Sequence, residues 1–287
     1  MTLCADRVVI VTGAGRGIGR AHALAFAAAG AFVVVNDVSK AAARAVVEEI
    51  GSRAVVNTDD VADWDGAGRL VRTALESFGG LDVLVNNAGF VRDRMLVTMS
   101  EQEWDDVVRV HLKGHFAPLR HAAAYWRAVH KAGGAVDGRV VNTSSGAGLL
   151  GSVGQGNYSA AKAGIAGLTL VAAAELGRYG VTVNAIAPAA RTRMTEGTFA
   201  SMMAAPERGF DAMAPENVSP LVVWLGSVES GGVTGRMFEV EGGRIGVAEG
   251  WRHGPVVDKG ARWELGEVGE VVRGLLEGRE SLPVYGV

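Results

Sequence analysis

Two kinds of hydrophobic pattern alternate along most of the chain. Short runs rich in valine, such as residues 8–11, are separated by longer segments in which apolar residues, many of them alanine, recur at helical spacing. The short runs predict strands near 7–12, 32–36, 53–57, 82–86, 138–143 and 181–186. The longer segments predict helices near 18–29, 40–50, 63–78, 101–130 and 157–178.

This alternation predicts an α/β fold in three layers, with a doubly wound parallel sheet covered by helices on both faces. We expect one domain over residues 1–243, because units of ~250 residues commonly hold together in this architecture. Three prolines interrupt the segment at about 188–217, which we expect to form a lid. A further helix is possible near 266–278, and we expect the C-terminal extension, 244–287, to pack on the domain or on a partner subunit.

Composition narrows the possible partners and locations. Apolar residues make up 48% of the chain and the mean hydropathy is +0.20, but no apolar stretch approaches the ~20 uninterrupted residues of a membrane span. The first residues lack the pattern of a secretory signal, so we expect a cytoplasmic protein without a membrane partner. The net charge of −3 comes from interspersed charges and gives no reason to expect nucleic acid. The single cysteine, Cys4, forms no internal disulfide, and we expect no metal site.

A glycine-rich turn follows the first predicted strand and leads into the first predicted helix. Glycines allow backbone N–H groups to approach a pyrophosphate closely, and the positive end of the helix dipole favours that anion. We therefore predict a dinucleotide seat here, although a tightly packed structural turn would also explain the glycines. The residues of this seat are Gly13, Gly15, Arg16, Gly17, Ile18 and Gly19.

Acidic residues follow the second and third predicted strands. Asp37 lies where the adenosine ribose of a dinucleotide would arrive, and its charge would repel a 2′-phosphate, so the sequence favours NAD over NADP. Alternatively, Asp37 caps the next turn, and Arg16 serves a phosphate. Asp60 and Val61 are placed to hold the adenine, but Asp60 would equally suit an N-cap of the helix at 63–78.

The fourth predicted strand ends in Asn86 and continues into Asn87, Ala88 and Gly89. The small residues would let the backbone pass close to a nicotinamide ribose. The side-chain amides would brace neighbouring strands. We therefore predict that Asn87, Ala88 and Gly89 belong to the cofactor site.

Ser145, Tyr158 and Lys162 provide the candidate chemistry. Tyr158 and Lys162 are four residues apart, so they project from the same face of a helix. A free tyrosine has a pKa of ~10, and a nearby ammonium group favours the phenolate and lowers that pKa. We therefore expect Tyr158 to act as an acid or base, with Ser145 hydrogen-bonded to the reacting oxygen. An ordinary helix surface is the alternative for the bare pair of Tyr158 and Lys162.

In this order, these motifs resemble the short-chain dehydrogenase/reductase family of the compact type, over about residues 5–243. The resemblance implies a Rossmann-like fold and hydride transfer between a nicotinamide and a secondary alcohol or ketone. It also implies that Tyr158 moves the hydroxyl proton, that Ser145 positions the oxygen, and that Lys162 lowers the pKa of Tyr158 and binds the nicotinamide ribose. A homodimer or homotetramer, paired through the helices near 101–130 and 157–178, is expected on the same grounds.

Two departures from the family pattern stand out. His111 occupies a position where the family commonly has an asparagine that supports a water chain to the lysine. It is either a proton relay or a hydrogen-bonded helix residue. The usual Pro-Gly after the sixth strand is Pro188-Ala189, and the following loop is one residue short. We still expect Pro188 and Thr192 in the cofactor site, with Thr192 bonded to the carboxamide.

The departures are themselves similar to one branch of the family, which includes the dehydrogenase unit of peroxisomal multifunctional enzyme type 2 and its bacterial single-domain relatives. That branch implies NAD-dependent oxidation of a (3R)-hydroxyacyl-CoA or of a steroid-like alcohol. Apolar side chains in the lid suit a bulky apolar substrate, although ordinary lid packing is the alternative. The alternatives for the whole chain are an NADPH-dependent 3-oxoacyl thioester reductase and a non-enzymatic NAD-binding redox sensor. The apolar lid residues are Met194, Phe199, Met202, Met203, Phe210 and Met213.

Overall fold

The computed structural model describes residues 2–192, 205–250, 253–279 and 285. Within them, one eight-stranded sheet has the order β3-β2-β1-β4-β5-β6-β7-β8. Its strands are β1 (Val8–Thr12), β2 (Phe32–Asn36), β3 (Ala54–Asn57), β4 (Val83–Asn86), β5 (Gly138–Thr143), β6 (Val181–Ala189), β7 (Met237–Glu241) and β8 (Arg244–Ala248). The first seven strands pair in parallel, which confirms the predicted α/β class, and β8 pairs antiparallel to β7.

Helices cover both faces of the sheet. They are α1 (Gly17–Ala28), α2 (Lys40–Ile50), α3 (Trp64–Phe78), α4 (Glu101–Val108), α5 (Gly114–Lys131), α6 (Gly146–Leu150), α7 (Gly156–Leu176), α8 (Ser219–Leu225) and α9 (Leu265–Leu276). Val9 and Val11 of β1 pack in one core cluster with α1, α2 and α8, whereas Val8 and Ile10 pack in a second cluster with α3, α5 and α7. Both clusters are apolar because a parallel strand is buried on both faces.

The helix predicted near 101–130 is divided. A π-helical turn, Arg109–Lys113, lies between α4 and α5, and His111 is at its centre. Pro118 also lies inside α5, where it has no N–H to donate. The prediction of one continuous helix is therefore wrong. The spacing of apolar residues does not reveal that one helical turn contains an extra residue.

Several boundaries also differ from the prediction. Strand β6 continues to Ala189, so Pro188 lies inside a strand rather than after it. Strands β7 and β8 were not predicted, since most of their residues are exposed or half-buried and do not form a valine-rich run. The sheet thus continues past residue 243. Of the predicted lid, residues 193–204, which include Met194, Phe199, Met202 and Met203, lie outside the described residues.

The extension contains α9, close to the helix predicted near 266–278, and none of its residues is buried in the single chain. Tyr285 returns to the domain, where its backbone N–H donates to the carbonyl of Gly151 over 2.9 Å. The expectation that the extension packs on the domain or on a partner subunit stays a prediction for α9.

By length and composition alone, the helical stretch Gly156–Tyr179 is long and apolar enough to cross a membrane. This stretch is α7 with the turn that follows it. In the fold, α7 contacts β6, α4 and α6. A central helix of an α/β domain passes the same test of length and composition.

Candidate active site

A crevice of about 750 Å³ opens at the carboxyl ends of the parallel strands. It lies where the strand order reverses between β1 and β4, which is where ligands bind in sheets of this kind. All the predicted cofactor-binding residues except Gly15 line it, and so does His111. Gly15 is packed behind Asp37, and Ser145 lies just beyond the crevice at the start of α6. The topology therefore gathers residues that are far apart in sequence.

The glycine turn has no room for side chains. A Cβ atom on Gly13 would lie 2.8 Å from Cα of Ala88, and one on Gly19 would lie 2.2 Å from the carbonyl oxygen of Gly13. Gly13 and Gly17 also have positive φ angles of +61° and +52°. Helix α1 begins at Gly17, and its first N–H groups have no partner within the helix. The turn is therefore a suitable seat for the pyrophosphate of a dinucleotide.

Asp37 has a structural role as well as a place in the crevice. One carboxylate oxygen accepts from the N–H of Gly15 over 3.0 Å, and the other accepts from the N–H of Ser39 over 2.8 Å. The capping role considered for Asp37 is therefore present. Because the side chain is half-buried and lines the crevice, it is also placed to meet a ligand.

Asp60 is held by two donors. Arg109 donates to one of its oxygens over 2.7 Å, and the N–H of Ala62 donates to the other over 2.8 Å. Burial would raise the pKa of Asp60, but these two hydrogen bonds outweigh burial and lower that pKa. The N-cap of α3 is Asp63, which accepts from Gly66, so the capping role considered for Asp60 is wrong.

Polar side chains tie the end of β4 to its neighbours. The Thr12 hydroxyl accepts from the N–H groups of Asn87 and Ala88, over 2.8 Å and 3.0 Å. The Asn87 amide donates to the carbonyl of Thr12 over 2.9 Å, and the Asn86 amide donates to Asn142 of β5 over 3.0 Å. These bonds hold the backbone of β4 against the glycine turn, so the predicted bracing is present.

The three predicted catalytic side chains meet at one end of the crevice. Lys162 is only 2% exposed, and its Nζ lies 5.4 Å from the centre of the Tyr158 ring. The same Nζ donates to the carbonyl of Thr143, the last residue of β5, over 2.6 Å. Ser145 accepts from the N–H of Ala147 over 3.2 Å, and its hydroxyl is close enough to that of Tyr158 to lower the pKa of the phenol. The ammonium group points inward, as a catalytic role requires.

Burial dominates the electrostatics of this group. It raises the pKa of Tyr158 to about 12, although the hydrogen bond from Ser145 acts in the opposite direction. Burial also lowers the pKa of Lys162 to about 7. Burial is the largest influence on both groups in the protein by itself, and it disfavours the charged form of each. The lowering of the pKa of Tyr158 by Lys162 stays a prediction.

His111 is packed between the end of β4 and the catalytic tyrosine. A Cβ atom on Gly89 would lie 2.1 Å from Cε1 of His111, and the His111 ring meets the Tyr158 ring edge-on with centres 5.1 Å apart. Its Nε2 lies 2.6 Å from the carbonyl oxygen of Phe90 and 3.1 Å from the backbone nitrogen of the same residue, and it donates to the oxygen in the tautomer that carries the proton on Nε2. Burial, and then the charge of Lys162, place the pKa of His111 well below its ordinary value. The other nitrogen, Nδ1, is buried without a hydrogen-bond partner among the described residues.

Sequence reasoning missed several residues of the site. Arg109 is 49 positions from Asp60, and no local pattern links the two residues. Thr143 contributes through its backbone carbonyl, which any residue type supplies. Tyr285 packs against Gly146, at the start of α6, and belongs to a segment without a motif. Among the described residues, no group of three or more His, Cys, Asp or Glu is placed to hold a metal ion.

Comparison with known proteins shows the family to which the chain belongs. The model of a family described as short chain dehydrogenase matches residues 7–202. The chain belongs to this family. A solved structure of a short chain dehydrogenase from Mycobacterium avium is 65% identical, with a TM-score of 0.91 over 99% of this chain and 100% of that one. This short-chain dehydrogenase is therefore an oxidoreductase that acts on CH–OH groups with a nicotinamide dinucleotide, NAD(P), as cofactor.

Curated relatives confirm the predicted branch of the family. The hydroxyacyl-CoA dehydrogenase ChsB1 of Mycobacterium tuberculosis is 45% identical over 96% of this chain and 90% of its own length. The peroxisomal multifunctional enzyme type 2 of Mus musculus is 46% identical over 84% of this chain, which spans only 32% of that longer protein. A 3-oxoacyl-(acyl-carrier-protein) reductase of Synechocystis is 42% identical over 85% of this chain and 99% of its own.

Proposed function

We propose that this short-chain dehydrogenase uses NAD to oxidise the secondary hydroxyl of a 3-hydroxyacyl-CoA or of a steroid-like alcohol. The observation that carries the proposal is the meeting of Ser145, Tyr158 and Lys162 at one end of a crevice whose other end is a pyrophosphate seat. The substrate class is supported by the relatives named for hydroxyacyl-CoA and multifunctional peroxisomal activity.

The residues of the crevice fit a dinucleotide without a 2′-phosphate. The glycine turn leaves a cradle that a Cβ atom would fill, and Asp37 presents a carboxylate beyond it. Two backbone N–H groups hold that carboxylate in place, so it does not move aside for a second anion. NAD is therefore favoured over NADP. A bound NAD would supply the acceptor for the hydride of the carbinol carbon.

The protein contributes orientation and proton transfer. Ser145 donates to the substrate oxygen and holds it beside Tyr158, whose oxygen takes the hydroxyl proton as the ketone forms. The Lys162 ammonium stabilises the phenolate form of Tyr158 that takes up this proton, and its buried position strengthens that attraction. In the reverse direction, Tyr158 returns the proton to the ketone oxygen.

His111 is assigned a positioning role in this scheme. It is neutral, because its pKa lies well below the ordinary value, and its edge-on contact fixes the plane of the Tyr158 ring. The buried Nδ1 offers an acceptor in the region where the family commonly has an asparagine. Both functions considered for His111, relay and structural hydrogen bonding, are compatible with this geometry.

The test is a panel of 3-hydroxyacyl-CoA esters, steroids and simple alcohols, assayed with NAD by the absorbance of NADH. The wild-type protein is expected to turn over a CoA ester or steroid faster than simple alcohols. Tyr158→Phe removes the proton-transferring oxygen and is expected to lower kcat by at least about 100-fold, while NADH binding, followed by fluorescence, is unchanged. Full turnover by Tyr158→Phe would refute the assignment.

The NADPH-dependent reduction of a 3-oxoacyl thioester is the second candidate, and the Synechocystis relative favours it. Asp37 opposes it, since its carboxylate would face the 2′-phosphate. Comparing kcat/KM with the two cofactors separates these candidates. A non-enzymatic sensor is set aside, because the chain belongs to a family of dehydrogenases and retains all three catalytic side chains.

We expect the protein to act in the cytoplasm as a homodimer or homotetramer, with no nucleic acid or membrane as partner. Exposed apolar side chains on the predicted pairing helices support self-association, namely Phe116 of α5 and Leu170 and Val171 of α7. Multi-angle light scattering would give the number of subunits.

A further inference from the structure

Tyr285 reaches the catalytic end of the molecule from a distant part of the chain. A Cβ atom built on Gly146 would lie 2.1 Å, 2.5 Å and 2.7 Å from three ring carbons of Tyr285, and these are the three atoms nearest to it. The phenol ring therefore lies flat against the backbone of the residue that follows Ser145. The N–H of Tyr285 donates to Gly151, which anchors the ring at the other end of α6.

The surroundings of Tyr285 connect it with the catalytic group. Burial raises the pKa of its phenol, and the carboxylates of Glu241 and Glu239 on β7 raise it further, so the hydroxyl is neutral at physiological pH. A charge on Tyr285 would raise the pKa of Tyr158, which places the two phenols within electrostatic range of each other. The ring thus offers an uncharged face and one hydroxyl beside the catalytic group.

The position of Gly146 indicates that the Tyr285 ring would contact the substrate rather than the dinucleotide. Thr143, Ser144 and Tyr158 line the dinucleotide crevice, whereas Gly146 lies past Ser145. When Ser145 and Tyr158 hold the alcohol oxygen, the carbinol carbon faces the crevice where the nicotinamide would bind. The rest of the substrate then extends away from the crevice, across α6. The first side chain packed on α6 at this point is Tyr285.

We infer that Tyr285 forms a wall of the substrate site and selects for substrates with an extended apolar chain beside the reacting carbon. This inference rests on the proposed function and adds a substrate-contacting residue to it. The ring supplies a broad apolar contact, as aromatic side chains do in binding sites. The ring can occupy this position only because residue 146 is glycine, since any side chain there would displace the ring.

The experiment compares KM and kcat for 3-hydroxybutyryl-CoA and 3-hydroxydecanoyl-CoA in the wild type, Tyr285→Phe and Tyr285→Ala. Tyr285→Ala is expected to raise KM for the longer ester by about tenfold, with a smaller change for the shorter one and none in KM for NAD. Tyr285→Phe keeps the ring and is expected to stay within about twofold of the wild type. Tyr179→Ala is the matched control, since Tyr179 follows α7 and packs on His130 away from the crevice.

Two further measurements support the kinetic comparison. The first measures substrate binding without turnover, and the second displaces the Tyr285 ring without substituting Tyr285. In a Tyr158→Phe background, calorimetric binding of 3-hydroxydecanoyl-CoA is expected to weaken about tenfold when Tyr285→Ala is added. Gly146→Ala pushes the ring away, so this single variant is expected to raise KM for 3-hydroxydecanoyl-CoA. The double variant with Tyr285→Ala is expected to have the same KM as Tyr285→Ala.

An unchanged or lowered KM in Tyr285→Ala, while the wild type oxidises both esters, would overturn the role of Tyr285 and leave the proposed function intact. A wild type that oxidises neither ester nor any other alcohol of the panel would overturn the proposed function, and the role of Tyr285 with it.

Discussion

At the scale of single residues, Asp37 combines a place in the crevice with structural support. Its two oxygens accept from the N–H groups of Gly15 and Ser39, so the same carboxylate that lines the crevice also holds the glycine turn against α2. The sequence placed Asp37 at the end of the second strand, but it did not separate a cap from a cofactor contact. The structure shows the cap and places the same side chain at the crevice, and its contact with the cofactor stays a prediction.

Substitutions at Asp37 should therefore affect two properties. Asp37→Asn removes the charge but keeps an oxygen that accepts one hydrogen bond, so we expect the preference for NAD over NADP to fall by about tenfold in kcat/KM. Asp37→Ala removes both hydrogen bonds as well, so KM for NAD should rise further. Initial rates with each cofactor give both quantities. An unchanged cofactor ratio in Asp37→Asn would show that the charge is not what discriminates.

At the scale of elements, the π-helical turn Arg109–Lys113 places His111 against Gly89 and Tyr158. One residue more in a turn rotates every following side chain relative to a regular α-helix. The turn therefore determines that the imidazole, rather than its neighbour Leu112, meets the catalytic tyrosine. Gly89 is what leaves room for it.

Gly89→Ala should disturb this arrangement directly. The added Cβ would lie 2.1 Å from Cε1 of His111, so the imidazole must move and we expect a loss of about 1–3 kcal/mol in the free energy of unfolding. Turnover should fall with it, because the ring plane of Tyr158 loses its support. Urea unfolding and steady-state kinetics measure the two effects.

Gly232→Ala is the matched control, since Gly232 is exposed, lies outside the predicted pairing helices and has nothing within 4 Å of the new atom. This variant should stay within about 0.5 kcal/mol of the wild type. Equal stability of Gly89→Ala and the wild type would mean that His111 has space to move.

The sequence predicted the elements whose pattern is local. The buried runs of β1 to β6 and the amphipathic spacing of α1, α2, α3 and α7 are periodic, and the motifs at strand ends follow from them. The π-helical turn, the exposed hairpin of β7 and β8, and the pairing of Arg109 with Asp60 depend on tertiary contacts that leave no periodic signal. The effect of burial on the pKa of Tyr158 was missed for the same reason, because burial is a property of the fold.

At the scale of the whole molecule, three histidines are buried in the fold, and none of them forms a salt bridge with a carboxylate of the described residues. Burial lowers the pKa of His22 and of His115 from 6.5 to about 3, and the pKa of His111 well below 6.5. His22 joins α1 to α8 through a 2.9 Å hydrogen bond to Ser219. The folded protein thus keeps these rings neutral where the unfolded chain would protonate them.

Acid should therefore unfold the protein through these histidines. Between about pH 6.5 and 3 the unfolded chain binds protons that the folded protein does not, so the free energy of unfolding falls as the pH falls, by about 1.4 kcal/mol per pH unit for each histidine. Above pH 6.5 this contribution is complete. His22→Gln should reduce the slope by one proton, measured by urea unfolding between pH 7 and 5. An unchanged slope in His22→Gln would contradict the linkage.

If Asp37 excludes the phosphorylated cofactor as proposed, its structural role constrains how this enzyme can evolve. A lineage that adopts that cofactor would have to discard the carboxylate, but the turn would then lose the acceptors for Gly15 and Ser39 in the same step. The first mutant is poor with either nucleotide, and a second change must restore an acceptor from elsewhere. Descendants with the opposite preference should therefore carry paired substitutions, at position 37 and at a neighbour that takes over the brace.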